Sequence, residues 1–445
     1  MASGDVARLA DAVRAGDLAQ VQAMLQARPE LVHMDMSESN EHRAIHYAVL
    51  GRMPRMVRLL MAFGSDARKG IYPFREPTQA LTLATERGYD EIVAIIREEE
   101  AKRTIAAEEA ESETPPTATE AAVISGDLAW LRARHAEGKL TAEDGALTAA
   151  VEHNRPDVLR FLLDLGLDPD ERVRLANLEE IVYSAGSPLW QSAARGHAGM
   201  AELLLRRGAN PNVHVYCSGS SVHGAYSHQQ WNLLPLLRRY GGVVGADTAA
   251  IYRETELARQ LLAADPARAE ELLRFGSMGG DPEIVRMALD RIDWPADDPR
   301  WFGMLGQPLS FWHHIPWLAA GNKALDRRTY LDCFHLLLAR CGPHLRGQWG
   351  RTMLHEVAAL RDYVTEDEGA PFAAALLQAG ARLDVRDEML RSTPLAWACR
   401  WGRIEVVKLL LQAGADPVEA DAEPWATPLA WAVKRGHHHI AALLG

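Results

Sequence analysis

Four side chains that can each ligate zinc lie within fifteen residues, His214, Cys217, His223 and His228, in the stretch VHVYCSGSSVHGAYSH. A tetrahedral zinc site takes four nitrogen or sulfur ligands at about 2.0–2.3 Å, so the residue types suffice and their placement decides. A second concentration gathers Trp294, Trp301, Trp312 and Trp317 with Asp293, Asp297, Asp298, His313 and His314. Aromatic planes beside acids and imidazoles suit a small-molecule or sugar pocket. The same tryptophans would equally serve as a local core. Catalytic patterns are incomplete. His355-Glu356 opens a metalloprotease-like HExxH, but Ala359 stands where the second histidine must be. In FGSMG, Phe275 replaces the first glycine of a G-x-S-x-G elbow. Neither a GxxxxGK[ST] loop nor a strand-borne GxGxxG occurs. No catalytic residue is assigned, and no cofactor is expected.

The bulk numbers bound the class. A chain of 445 residues is too long for one globular core and suggests two to four domains. Stacked repeats escape that count, because each unit touches only its neighbours. The composition, 48% hydrophobic and 24% charged, is that of an ordinary folded protein. A net charge of −12 argues against a nucleic-acid partner, which calls for a basic surface. No run approaches the roughly 18 apolar residues that span a bilayer, so no membrane partner is expected. The opening MASGDVARLADAVRAGD lacks an apolar signal core, and a cytoplasmic location is the expectation. The four cysteines, Cys217, Cys333, Cys341 and Cys399, form no CxxC pair and read as reduced, mostly buried thiols.

The elements that must position these residues are visible in a repetition. STPLAWACRWGRIEVVKLLLQAGADP (392–417) recurs as ATPLAWAVKRGHHHIAALLG (426–445) at an offset of 34. Thr393-Pro394 opens a helix, with a capping oxygen followed by a proline suited to the first turn. Leu395, Trp397 and Ala398 form its buried side, and Gly402 ends it in a left-handed backbone. Ile404, Val407, Leu410 and Leu411 place an apolar stripe on a second helix, which Gly414 stops. Asp416-Pro417 turns the chain toward the next unit.

This pattern resembles the ankyrin repeat family, in which a turn, T-P-L-H-x-A and two antiparallel helices recur about every 33 residues. Similar copies are RAIHYAVLGRMPRMVRLLMAFGSD (43–66), TQALTLATERGYDEIVAII (78–96), GALTAAVEHNRPDVLRFLLDLGLDPD (145–170) and GSPLWQSAARGHAGMAELLLRRGANPN (186–212). VHGAYSHQQWNLLPLLRRYGG (222–242) is a degraded copy. TMLHEVAAL with FAAALLQAGARLD, and PLSFW with CFHLLLARCG, are units split by insertions. Echoes near 16, 126 and 280 bring the number to about a dozen.

The resemblance implies an all-α solenoid of stacked helix-turn-helix units with short turn fingers. Its expected divisions are repeats at 1–103, a charged Pro-Thr linker at 104–117, repeats at 118–289, a Trp-rich insertion at 290–330 and repeats at 331–445. It places His46, His223 and His355 in a slot whose histidine hydrogen-bonds neighbouring turns. That leaves three residues of the zinc set, and no metal is expected. His437–His439 lie at the start of a second helix, in surface and packing roles. Tyr47, Phe311, Trp397 and Trp431 fall in an inward core slot.

Family ligands sit on turn tips and the exposed ends of first helices. The implied partner-binding residues here are Arg87, His153, Arg195, His228, Trp401 and Arg435, with Tyr216, Cys217, Trp349, Met389 and Leu390 at turn tips. Arginines at helix C-termini also complement the helix dipole, which by itself accounts for Arg87, Arg195 and Arg435. The resemblance therefore implies a non-catalytic scaffold holding an acidic and apolar partner protein in a concave groove. The alternative is a small-ligand or metal-binding protein, or an enzyme, built on Trp294, Trp301, Trp312, His313, His314 and Trp317 with the 214–228 loop. The last unit lacks a polar cap, so self-association there is a further expectation.

Overall fold

The computed structural model describes residues 4–37, 40–72, 74–108, 118–140, 144–173, 178–179, 187–214, 219–311, 327–360 and 369–445. Among them, twenty-six α-helices pair off in chain order into thirteen helix-turn-helix units. The first three units are α1 (Asp5–Ala15) with α2 (Leu18–Ala27), α3 (Ala44–Leu50) with α4 (Pro54–Ala62), and α5 (Ala80–Glu86) with α6 (Asp90–Glu108). The next four are α7 (Ala118–Ser125) with α8 (Leu128–Ala136), α9 (Ala146–Glu152) with α10 (Pro156–Asp164), α11 (Pro188–Arg195) with α12 (Ala198–Arg206), and α13 (Ser221–Ser227) with α14 (Leu234–Arg239). Then come α15 (Ala246–Ile251) with α16 (Thr255–Ala264), α17 (Ala269–Gly279) with α18 (Pro282–Leu289), and α19 (Arg300–Phe311) with α20 (Arg327–Cys341). The last three are α21 (Met353–Ala359) with α22 (Ala370–Gln378), α23 (Pro394–Trp401) with α24 (Ile404–Gln412), and α25 (Pro428–Lys434) with α26 (His438–Leu444).

The local reasons are those of the repeated sequence. Thr393 Oγ1 accepts the Ala396 amide at 3.3 Å, and Thr427 does the same for Ala430 at 3.2 Å. These bonds satisfy amides that a helix start leaves open. Gly402 closes α23 at φ 72°, a backbone that costs a residue with a Cβ. On α24, Val406, Val407 and Leu410 are buried, while Ile404 and Leu411 are half-buried at the stripe's edges. First helices stack from α1 to α5, from α7 to α13 and from α15 to α25. Tyr226 against Tyr252, 5.4 Å between ring centres, joins α13 to α15. The buried apolar residues form one continuous cluster from Val6 to Ile440, the expected outcome when no unit can cover its own face. Backbone pairing in the fingers is limited to isolated bridges among the described residues.

Two expectations change. Helix α6 continues past the expected boundary at 103 and reaches Glu108; residues 109–117 lie outside the described residues. Residues 300–311 form α19, packed between α17 and α21, so the helix expected at PLSFW begins earlier, inside the expected Trp-rich insertion. Trp301, Met304, Leu305 and Leu309 are buried at spacings of three and four, a helical stripe that the aromatic composition obscured. Cys333 and Cys341, both free and buried, lie on one helix, as Cys399 lies buried on α23; Cys217 falls outside the described residues. No helix among the described residues is long and apolar enough to cross a membrane.

The N-terminal three units do not merely extend the row. Their residues 72–89 meet residues 346–351, 387–401 and 425–435 of the last units. Asp5 and Val6 amides donate to Glu179 at 2.8 and 3.0 Å, and Asp35 bridges Leu178.

Candidate functional site

The histidine slot is structural. His46 Nδ1 accepts the Arg43 amide at 3.0 Å, and its Nε2 faces Lys69 O of the next finger at 2.9 Å. His355 repeats this with the Thr352 amide and Ser392 O, at 3.0 and 3.1 Å. Burial lowers their pKa values to about 4 and about 3, so both rings are neutral in the fold. His223 takes the same helical position, 2.9 Å from Thr248 Oγ1. His228 turns to Ser227 Oγ and Gly224 O, and His214 is exposed. Cys217 and Tyr216 lie outside the described residues.

The Trp-rich segment divides. Trp301 is fully buried, donates its Nε1–H to Pro295 O at 2.9 Å and meets Trp294 edge-on at 4.8 Å. Arg300 lies 4.0 Å over the Trp294 ring. These two tryptophans are packing groups. Trp312, His313, His314 and Trp317 lie outside the described residues.

The expected groove residues fall into two groups. Arg87, Trp349, Trp401 and Arg435 come together where the N-terminal units meet the C-terminal ones. Thr78 shapes the turn that enters this junction: Oγ1 accepts the Ile71 amide at 2.7 Å and donates to Phe74 O at 2.6 Å. The turn presents Phe74, which is buried with its ring edge-on to Trp397 at 5.3 Å and to Trp401 at 5.8 Å. Trp397 and Trp401 stack 4.9 Å apart. The Arg351 guanidinium lies 4.9 Å over Phe74 and 5.0 Å over Trp349.

Charge follows the same line. Arg400, whose side chain is 1% exposed, donates to Glu86 at 2.6 Å. Arg435 pairs with Glu76 at 2.6 Å, and Lys434 donates to Glu86 O. Burial pushes the Glu86 carboxyl up, with Arg400 and Arg435 opposing it. Arg87 donates to Met389 O and lies 4.9 Å from the Trp425 ring. Met389 and Leu390, expected as exposed turn tips, are buried because Asp387 accepts both their amides and holds the finger in.

His153, Arg195 and His228 form the second group. All three are exposed at the C-terminal ends of α9, α11 and α13. His153 lies 3.1 Å from Glu120, and Arg195 lies 3.6 Å from Glu152. His228 meets Trp190 edge-on at 5.8 Å. Trp231, 41% exposed, lies just beyond.

A family model of three consecutive ankyrin repeats matches residues 322–421, and a single ankyrin repeat model matches residues 187–214. The chain is an ankyrin-repeat protein. No curated protein is similar to it in sequence. Ankyrin repeats are generally protein–protein interaction modules. The residues that sequence reasoning missed are the internal occupants, Phe74, Glu76 and Glu86, with their receivers Arg351 and Arg400. Their one visible signal was an aromatic and charged finger, IYPFREPT (71–78), longer than a repeat needs.

Proposed function

We propose that this ankyrin-repeat protein is a non-catalytic interaction protein that holds an acidic and apolar partner protein against the first-helix ends of its central units. One observation carries the reading. At the C-terminal end of the groove, Arg435, just before the helix-ending Gly436, holds the Glu76 carboxylate, and the adjoining tryptophans take Phe74. Arg195 occupies the equivalent position before Gly196, and here it is exposed, as are His153 and His228 at the ends of α9 and α13. The residue type that already receives an acid within the chain is therefore repeated on open surface. Arginine and tryptophan are also the types that dominate binding hot spots. Trp349, Trp401, Arg87 and Arg435 are engaged by the chain itself, so the partner surface is centred on Arg195 and His228.

A cytoplasmic setting, without nucleic acid, belongs to the same reading. It is supported by the free, buried cysteines and the net charge of −12. Self-association through the last unit is supported by the exposed Leu429, Val433 and Leu443 and is read from the light-scattering mass at high concentration.

The test is capture of partners from native-host lysate by the wild-type chain and by Arg195→Glu/His228→Glu, with Trp401→Ala for comparison. The expected result is a protein held by wild type and lost with the double variant. Identical captures from wild type and the double variant would exclude this surface.

A further inference from the structure

The junction between the N-terminal and C-terminal units holds a half-open cavity of about 470 Å³. This lies in the usual range of small-molecule sites, about 300–1,000 Å³. Three arginines reach its wall from separate parts of the chain: Arg14 from the end of α1, Arg87 from the end of α5, and Arg391 from the finger before α23. Glu388 is the one carboxylate among its described lining residues. His42, Tyr47 and Trp349 supply the aromatic part, and Asn40 and Gln348 supply amides.

Arg87 is the informative member. It is 7% exposed, its Nε has no hydrogen-bond partner, and it forms no ion pair with a described carboxylate. Its acceptors within the chain are neutral, Met389 O and the Tyr89 hydroxyl, with the Trp425 ring alongside. A buried guanidinium is ordinarily paired, because loss of hydration is costly for an unmatched charge. Arg14 and Arg391 hold Asp11 and Glu423 only in half-exposed pairs, at 2.9 and 3.1 Å, which water and salt weaken. Both already line the cavity.

We propose that this cavity binds a small organic oxyanion, phosphate or carboxylate, held by Arg87 with Arg14 and Arg391. A guanidinium matches either group with two parallel hydrogen bonds. Arg14 and Arg87 belong to the N-terminal units and Arg391 to the C-terminal ones, so the anion bridges the two. Its binding therefore strengthens the closure of the chain on itself. The site is independent of the central surface assigned to a partner protein.

The test is isothermal titration of the full chain with inorganic phosphate, ATP and citrate, beside Arg87→Met and the exposed Arg391→Gln. The proposal expects saturable binding of at least one probe, with affinity that falls as salt rises. It expects Arg87→Met to weaken that binding about ten- to a hundredfold, the range for a hydrogen bond to a charged group, and Arg391→Gln to weaken it less. Thermal melts separate this from a merely structural role. A saturating concentration of the bound probe should raise the melting temperature of wild type but not of Arg87→Met, a ligand-dependent shift that a merely structural arginine would not govern. Tighter binding of ATP than phosphate assigns a phosphorylated metabolite, and tighter citrate binding a polycarboxylate. No saturable binding of any probe at millimolar concentration, or equal affinity in all three proteins, would overturn the proposal.

Discussion

His46 and His355 tie the residue scale to a measurable pH dependence. Their folded pKa values, about 4 and about 3, lie below the ordinary value of 6.5 because burial disfavours the charged ring. The unfolded chain therefore takes up protons below pH 6.5 that the folded chain refuses. Their contribution is fully present above pH 6.5 and is lost as pH falls toward 4 and 3, at up to about 1.4 kcal/mol per pH unit for each histidine. The variant His355→Gln keeps a donor for Ser392 O but does not titrate. Urea unfolding midpoints measured from pH 7 to 4.5 are expected to fall less steeply in this variant than in wild type. Equal slopes would mean that His355 is not the buried neutral group described. This slot was legible before any fold, since three histidines sit at one position of the repeat. The engagement of Met389 and Leu390 was not, because turn tips carry no periodicity to show which way they face.

At the scale of elements, each helix start needs oxygen acceptors, and the chain supplies them by two routes. Thr393 and Thr427 cap locally and are readable from sequence. Helix α9 begins at Gly145-Ala146 without a side-chain cap of its own. Glu171, from the following finger, accepts the Thr148 amide at 2.8 Å, the Thr148 hydroxyl at 2.9 Å and the Leu147 amide at 3.3 Å. Burial pushes this carboxyl up to about 7. Replacing it by alanine removes a cap and strands buried amides, an expected loss of about 1–2 kcal/mol. Glu171→Gln keeps an acceptor and should lose less. Hydrogen exchange at α9 amides reads the difference, and equal protection in wild type and both variants would show that Glu171 is dispensable. The cap lies 23 to 24 residues from its helix, too far for a local motif to announce. The first half of helix α19 was hidden for a different reason: its apolar spacing is helical, but Trp301 drew attention as chemistry rather than packing.

The whole molecule is closed by one aromatic insertion and one buried ion pair. Truncating a fully buried phenylalanine costs about 3–5 kcal/mol. Removing one partner of a buried pair costs a similar amount, because the other charge stays behind. The double variant Phe74→Ala/Glu86→Ala is therefore expected to release the N-terminal units from the C-terminal ones. Small-angle scattering should show a larger radius of gyration with unchanged helical circular dichroism, since each unit keeps its own neighbours. A radius equal to that of wild type would count against the closure.

The sequence by itself determined the repeat, the caps at Thr393 and Thr427, the burial of Trp397 and Trp431 and the histidine slot. All of these are local or recur at a fixed offset, so a one-dimensional pattern carries them. Tyr47 and Phe311, expected in the same inward slot as the two tryptophans, are only half-buried. Only the tertiary structure decided which groove residues are exposed. Arg87 and Arg195 occupy the same repeat position and cannot be told apart in one dimension. One is buried against Met389 O, 302 residues away, and the other faces solvent. Contacts at that separation depend on how small rotations add up over thirteen units, and no single unit encodes the sum.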